Sequence, residues 1–276
     1  MIPKTWLVTG CSTGLGRAIA EELINRGERV IATARRVEAI GDSIRDAANA
    51  HALQLDVTNP DEIRAAVARV EADFAGIDVL INNAGYGYIA SAEEADEGAY
   101  RELFETNVFG LIAMTRAVLP GMRARRRGHI VNVSSIGGLS ANPGSSFYAA
   151  TKFAVIGFTQ SLSKEVAHLG IKATVVLPGL LRTDWAGRSL KVAGDSIADY
   201  EPTVHSRIRG LSELDGNQRG DPARAAAAII KALDGPEPPL HLVLGPDALG
   251  IAREQLSKLA AEFSRWEVLS ASTDFA

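Results

Sequence analysis

The chain has 276 residues, 46% of them hydrophobic, and a formal charge of −4. That is enough apolar material for a large core, and the acidic balance argues against nucleic acid as the main partner. A lone cysteine, Cys11, rules out an internal disulfide and fits a reducing, cytoplasmic setting. No run approaches ~18 uninterrupted apolar residues, so no membrane span is expected. The opening Met1-Ile2-Pro3-Lys4-Thr5-Trp6 lacks the charged segment and apolar run of a signal peptide. No metal site is expected.

Trp6-Leu7-Val8 reads as a buried strand. Gly10-Cys11-Ser12-Thr13-Gly14-Leu15-Gly16 follows, then a helical pattern from Arg17 to Arg26 stopped by Gly27. Strand, glycine turn and helix together make a phosphate site: glycines let backbone N–H groups approach a pyrophosphate, and the helix N-terminus adds a positive dipole end. Gly10, Ser12, Thr13, Gly14, Leu15 and Gly16 are the expected contacts. Cys11 reads as a small turn residue, not a thiol catalyst. Arg29 to Ala34 is a second strand, running into Arg35-Arg36. A site for NAD tends to place an acid about 20 residues past the glycines, on the ribose 2′-hydroxyl. Here alanine stands at position 34 and arginines follow. A guanidinium clamps a 2′-phosphate that an acid would repel, so NADP(H) is favoured over NAD(H), with Arg35 the first choice and Arg36 the second.

His51 to Val57 is a third strand, with Asp56 and Val57 at the carboxyl end where an adenine would lie. Thr58-Asn59-Pro60-Asp61-Glu62 starts a helix. Ile77 to Ile81 is a fourth strand; the small residues and amides of Asn82-Asn83-Ala84-Gly85 permit close approach to a cofactor, with Asn83, Ala84 and Gly85 expected to contact it. Tyr86, Tyr88 and Ile89 either wall a substrate pocket or pack. A long helix is expected over about Tyr100 to Met122, with Asn107 an ill-suited interior residue whose amide holds a water or a lysine, or faces solvent. The basic run Arg123 to Arg127 reads as a solvated helix end. His129 to Val133 is the fifth strand, ending in Ser134-Ser135. A helix to about His168 and a sixth strand, Lys172 to Leu177, follow, then Pro178-Gly179-Leu180-Leu181-Arg182-Thr183.

From Asp184 to about Gly220 periodicity is poor, with Trp185, Leu190, Val192, Ile197 and Tyr200 among polar residues; such insertions are often lids. Asp221-Pro222 caps a helix to Leu233, and a last strand spans Leu240 to Leu244. A final helix is expected over Asp247 to Trp266, with Ser270 to Ala276 fraying. Strands alternating with helices imply an α/β doubly wound parallel sheet of about seven strands, helices on both faces.

Tyr148 and Lys152 are four apart and share a helix face. A tyrosine of pKa ~10 is a poor base near neutrality. An ammonium at ~4 Å and an effective dielectric of ~20 attracts a phenolate by about 4 kcal/mol, about a thousandfold in acidity before desolvation. Such a pair is expected to have a lowered phenol pKa and to exchange a proton with an alcohol or carbonyl.

As a set, Thr9-Gly10-Cys11-Ser12-Thr13-Gly14-Leu15-Gly16, Asn82-Asn83-Ala84-Gly85, Asn107, Ser135, Tyr148-xxx-Lys152 and Pro178-Gly179-xxx-Thr183 resemble the classical short-chain dehydrogenase/reductase family. The double arginine and C-terminal extension look like its branch acting on 17β-hydroxysteroids and retinoids. The resemblance implies a catalytic serine thirteen residues before the tyrosine, which selects Ser135 over Ser134. It further implies that Tyr148 transfers the proton, while Lys152 lowers its pKa and holds the nicotinamide ribose. Ser135 would bond the substrate oxygen, and Asn107 would position a water. Leu181 and Thr183, after Pro178 and Gly179, would hold the carboxamide. Relatives commonly pair through the helices bearing Asn107 and Tyr148, so a homodimer or homotetramer is expected.

The sequence thus reads as one dinucleotide-binding domain over 1–276, with a substrate lid at about 184–220 and a C-terminal helical extension at about 245–276. The expected activity is NADP(H)-dependent interconversion of an apolar carbonyl and its alcohol. The alternatives are an NADP-binding regulatory or scaffold protein without turnover, and an extended-type nucleotide-sugar epimerase, whose TGxxGxxG loop this chain lacks.

Overall fold

The computed structural model describes residues 3–185, 187, 189–193, 196–213 and 216–275, the side chain of Ser212 excepted. Strand β1 (Thr5–Val8) leads through a glycine turn into α1 (Gly14–Asn25); β2 (Arg29–Ala34), the short α2 (Asp42–Arg45), β3 (Ala50–Gln54) and α3 (Pro60–Phe74) follow. The chain continues through β4 (Val79–Asn82), β5 (Gly87–Ile89), α4 (Glu97–Phe104), α5 (Leu111–Arg125), β6 (Gly128–Val133) and α6 (Ser146–Val166). Last come β7 (Ile171–Pro178), β8 (Leu190–Val192), α7 (Ser206–Glu213), α8 (Pro222–Leu233), β9 (His241–Leu244) and α9 (Pro246–Ala271).

Seven strands form one parallel sheet in the order β3-β2-β1-β4-β6-β7-β9. Side chains alternate between its faces, as the two-residue period of a strand requires. Trp6 and Val8 join the layer of α1 and α8, while Leu7 between them joins that of α3, α5 and α6. Val79 and Ile81 against Leu80, and Val131 against Ile130, repeat the alternation. Both faces are covered, which is why these strands read as unbroken apolar runs. The order reverses between β1 and β4, so the loops leaving their carboxyl ends diverge and open a crevice.

Helix starts follow their sequence signals. Asn59 caps α3 by accepting from the Asp61 and Glu62 N–H groups, with Pro60 first in the helix. Asp221 caps α8 in the same way, ahead of Pro222. Three expectations need correction. The basic run is not merely solvated: Arg125 is half-buried, ion-paired with Glu71 and bonded to the Ile77 carbonyl at 2.9 Å. Segment 184–220 holds ordered structure, with β8 pairing β5 in a second, two-stranded sheet and α7 beyond it; Ala186, Arg188, Gly194, Asp195, Leu214 and Asp215 lie outside the described residues. The terminal helix runs past Trp266 to Ala271. Among the described residues no helix is long and apolar enough to cross a membrane.

Candidate active site

Thr9 follows β1, and its hydroxyl oxygen accepts from both the Asn83 and Ala84 N–H groups at 3.0 Å. Asn83 answers through Nδ2, donating to the Thr9 carbonyl at 2.9 Å and the Gly10 carbonyl at 3.2 Å. The amide expected to face a cofactor therefore ties the β4 loop to the glycine turn. Gly10 has φ +74°, a left-handed conformation open to glycine. Gly16 is required for approach: a Cβ there would stand 2.3 Å from Asn83 Nδ2 and 2.4 Å from the Gly10 carbonyl oxygen. Thr13 precedes α1 without capping it, and the first turn holds no acid. The uncapped N–H groups and the positive dipole end fit a pyrophosphate.

One cavity of about 1190 Å³ runs from this turn across the carboxyl ends of the strands. Ser12, Thr13, Gly14 and Leu15 line it, as do Asn83, Ala84, Gly85, Pro178, Gly179, Leu181 and Thr183. At its far end stand Arg35, Arg36, Asp56 and Val57. Both arginines are exposed, and among the described residues neither has an ion-pair partner. Asp56 turns one carboxylate oxygen to the Thr58 N–H and hydroxyl, at 2.9 and 2.7 Å. No acid occupies the end of β2, so the residues present fit a phosphorylated ribose. Gly16 and Asn107 lie outside the cavity lining; both act behind it.

Tyr148 and Lys152, on adjacent turns of α6, meet Ser135 at the end of β6. Ser135 and Tyr148 line the same cavity and flank Gly137, where a Cβ would stand 3.5 Å from Ser135 Oγ and 3.7 Å from the Tyr148 ring; the Ser135 oxygen accepts from the Gly137 N–H at 3.0 Å. Ser134 turns the other way, donating to the Lys152 carbonyl at 2.9 Å. The Lys152 ammonium lies 5.6 Å from the Tyr148 ring centroid and donates to the Val133 carbonyl at 3.1 Å. The expected lowering of the phenol pKa is reversed. Burial pushes Tyr148 up to about 12, against the pull of Ser135, and pushes Lys152 down to about 8. Desolvation is the leading cause at both buried groups.

Asn107 sits in a π-helical turn, Glu105–Gly110, that joins α4 to α5. The wide turn rotates its buried side chain toward the Tyr86 backbone: Oδ1 accepts from the Tyr86 N–H at 3.0 Å, and Nδ2 donates to the Tyr86 carbonyl at 2.9 Å. A further donation reaches the Thr151 hydroxyl at 3.3 Å. The amide neither faces solvent nor bonds lysine, which corrects both of those expectations. It fixes the loop that leaves β4. A buried chain continues the link between sheet and helices: Asn82 donates to Thr115 and Asn132, and Asn132 donates to Thr159.

Segment 184–220 covers this cluster. The Trp185 ring lies 5.4 Å from that of Tyr148 at 53°. Gly87 leaves room for it, since a Cβ there would stand 2.7 Å from the indole. Tyr86 lines the cavity, whereas Tyr88 and Ile89 are buried. The segment's two ends are stitched together, with Arg182 N–H to the Gly220 carbonyl at 2.7 Å. Deeper in, His205 Nε2 stands 3.1 Å from Glu94 Oε2 with both side chains buried. Donation from the Ile197 N–H and the Ser91 hydroxyl draws the Glu94 carboxyl down to about 2. These contacts, like Thr151 and the serine clasp on Lys152, carry no spacing signal in the sequence. Among the described residues, no three metal-binding side chains converge.

Comparisons with known proteins agree with this geometry. A profile of the family described as short chain dehydrogenase matches residues 4–192. Oxidoreductase BOA17 of Botryotinia fuckeliana is 40% identical over 269 residues, covering 97% of this chain and 98% of that protein. The 3-oxoacyl-(acyl-carrier-protein) reductase FabG of Vibrio cholerae is 37% identical over 229 residues, 82% of this chain and 88% of its own. A crystal structure of a short-chain dehydrogenase from Streptomyces avermitilis superposes with TM-score 0.93 at 42% identity, over 99% of both chains.

Proposed function

The chain belongs to the short-chain dehydrogenase family, and on that premise we propose that it reduces an apolar carbonyl to an alcohol with NADPH, and reverses that reaction, with Tyr148 as the general acid and base. The observation that carries the reading is the meeting of Ser135, Tyr148 and Lys152 in the same cavity as the uncapped start of α1.

The nicotinamide, when bound, supplies or accepts the hydride. Ser135 donates a hydrogen bond to the substrate oxygen as negative charge grows there. Tyr148 then delivers its proton to that oxygen. With its pKa at about 12 the phenol is fully protonated at neutral pH, the form that carbonyl reduction consumes. Lys152, with its pKa near 8, is mostly charged at pH 7 and steadies the phenolate left behind. Arg35, with Arg36 behind it, binds the 2′-phosphate. Asp56 and Val57 seat the adenine, and Leu181 and Thr183 hold the carboxamide. Trp185 and Tyr86 give the substrate end an apolar wall, and 184–220 acts as its lid within a single dinucleotide-binding domain.

Neither competing reading has an observation of its own. A sensor without turnover needs no buried lysine beside a buried phenol, and the glycine turn is not that of an extended epimerase. A panel of steroid, retinoid and aromatic carbonyls, with NADPH followed by its absorbance, tests the proposal. Oxidation of NADPH with at least one of these is expected; no change in NADPH absorbance with ketones or aldehydes, or with alcohols and NADP+, would favour the regulatory reading.

A further inference from the structure

We propose that α9 is a self-association helix, pairing antiparallel with α9 of a second copy of this chain. This surface is independent of the catalytic reading. The helix is 26 residues long, yet only Ala248 and Ala252, in its first two turns, are buried. Beyond them it leaves the body of the protein. Most helical stability in proteins comes from packing an apolar face, and this helix carries Leu256 57% exposed, Phe263 69% and Trp266 55%. Leu256, Leu259, Phe263 and Trp266, past the buried Ala252, recur at steps of three, four and three, the spacing of a two-helix coiled-coil seam, while Ile251, Val268 and Leu269 lie off it.

Charge selects the occupant. Arg253, Lys258 and Arg265 face four acids, Asp247, Glu254, Glu262 and Glu267, a net of 3 − 4 = −1. A helix lying on an anionic bilayer or nucleic acid would show an excess of basic residues. Lys258 is paired with Glu254 inside the helix, but among the described residues Arg253 and Glu267 have no ion-pair partner. Antiparallel pairing centred near Ala261 sets Leu259 against the partner's Phe263 and Leu256 against the partner's Trp266. It also brings Arg253 beside the partner's Glu267, twice by symmetry, at the cost of one contact between the two copies of Glu262. A parallel pair would instead place Glu262 beside the partner's Glu267 twice and gain no attraction. The symmetric, isologous contact closes on itself and does not polymerise.

Sedimentation of the full-length protein tests this against a Leu256→Glu/Phe263→Glu variant, with NADPH titration confirming that its fold persists. The parent is expected to hold at least two copies, and the variant half the parent's number. A monomeric parent, or an unchanged mass in the variant, overturns the proposal. Cysteine cross-linking checks the register against a silent background, because Cys11 is buried. Glu262→Cys is expected to give a disulfide-linked dimer on a non-reducing gel, while Trp266→Cys remains unlinked. The opposite pattern overturns the antiparallel arrangement.

Discussion

At Tyr148 two opposing effects act on one proton. Burial raises the phenol to about 12, and the hydroxyl of Ser135 pulls back. Tyr148→Phe removes the transferable proton and keeps the ring against Trp185. It is expected to lower kcat at least about a hundredfold, the usual worth of a positioned acid or base, while the Kd for NADPH changes less than about threefold. Lys152 carries a second prediction. Burial takes its pKa from the ordinary 10.5 of a lysine down to about 8. Between those two values the unfolded chain holds a proton that the folded chain has lost, so stability rises as pH climbs through the window. At pH 7 the buried charge costs about 3 kcal/mol. Lys152→Met is therefore expected to raise the thermal midpoint at pH 7, an advantage that shrinks toward pH 10.5; calorimetry at both pH values checks it, and a lower midpoint at pH 7 would contradict it. Arg35 decides the cofactor. Arg35→Asp places an acid where the 2′-phosphate would sit and is expected to weaken NADPH binding while sparing NADH; equal affinities for both in the parent would sink the NADP preference.

Elements explain what the sequence discloses and what it hides. The strands, the glycine turn and the starts of α3 and α8 rest on local chemistry, so apolar runs, positive-φ glycines and the caps Asn59 and Asp221 announce them. The meeting of Ser135 with Tyr148 is legible only through the family resemblance, whose serine stands thirteen residues before its tyrosine; strand and helix periods by themselves leave Ser134 and Ser135 equal. The phenol's pKa is not legible, because spacing reports a charge nearby but not the depth of burial. Segment 184–220 reads as irregular because its order is tertiary: β8 exists only by pairing β5, and Trp185 is placed by Tyr148 and the gap at Gly87. Asn107 reads as a misfit in a helix because a π-helical turn, which no period marks, turns it onto the Tyr86 backbone. Asn107→Leu would leave the half-buried Tyr86 N–H and carbonyl unpaired, each costing up to about 1–3 kcal/mol. A drop in urea midpoint with unchanged slope is expected; no drop would show that the amide is dispensable to the fold. The third glycine is equally constrained. Gly16→Ala is expected to weaken NADPH binding and stability together, since its methyl would meet Asn83 and the Gly10 carbonyl.

At the scale of the whole molecule, the reversal of strand order between β1 and β4 makes one crevice do two jobs. Its glycine end suits a dinucleotide, and the end under Trp185 holds the Ser135, Tyr148 and Lys152 cluster. Because the cavity lining comes from both sides of the sheet and from 184–220, a bound cofactor ties these parts to one another. NADPH at a hundredfold excess over its Kd adds about 2.7 kcal/mol of stability, so the thermal midpoint is expected to rise by roughly 5–10 °C. The most direct test of the account measures turnover and binding on the same two proteins. Parent and Tyr148→Phe are each titrated with NADPH and then assayed, at pH 7, with the best apolar carbonyl from the panel. The account predicts equal cofactor affinity in both proteins and turnover in the parent alone; turnover of the variant within a few fold of the parent would contradict it.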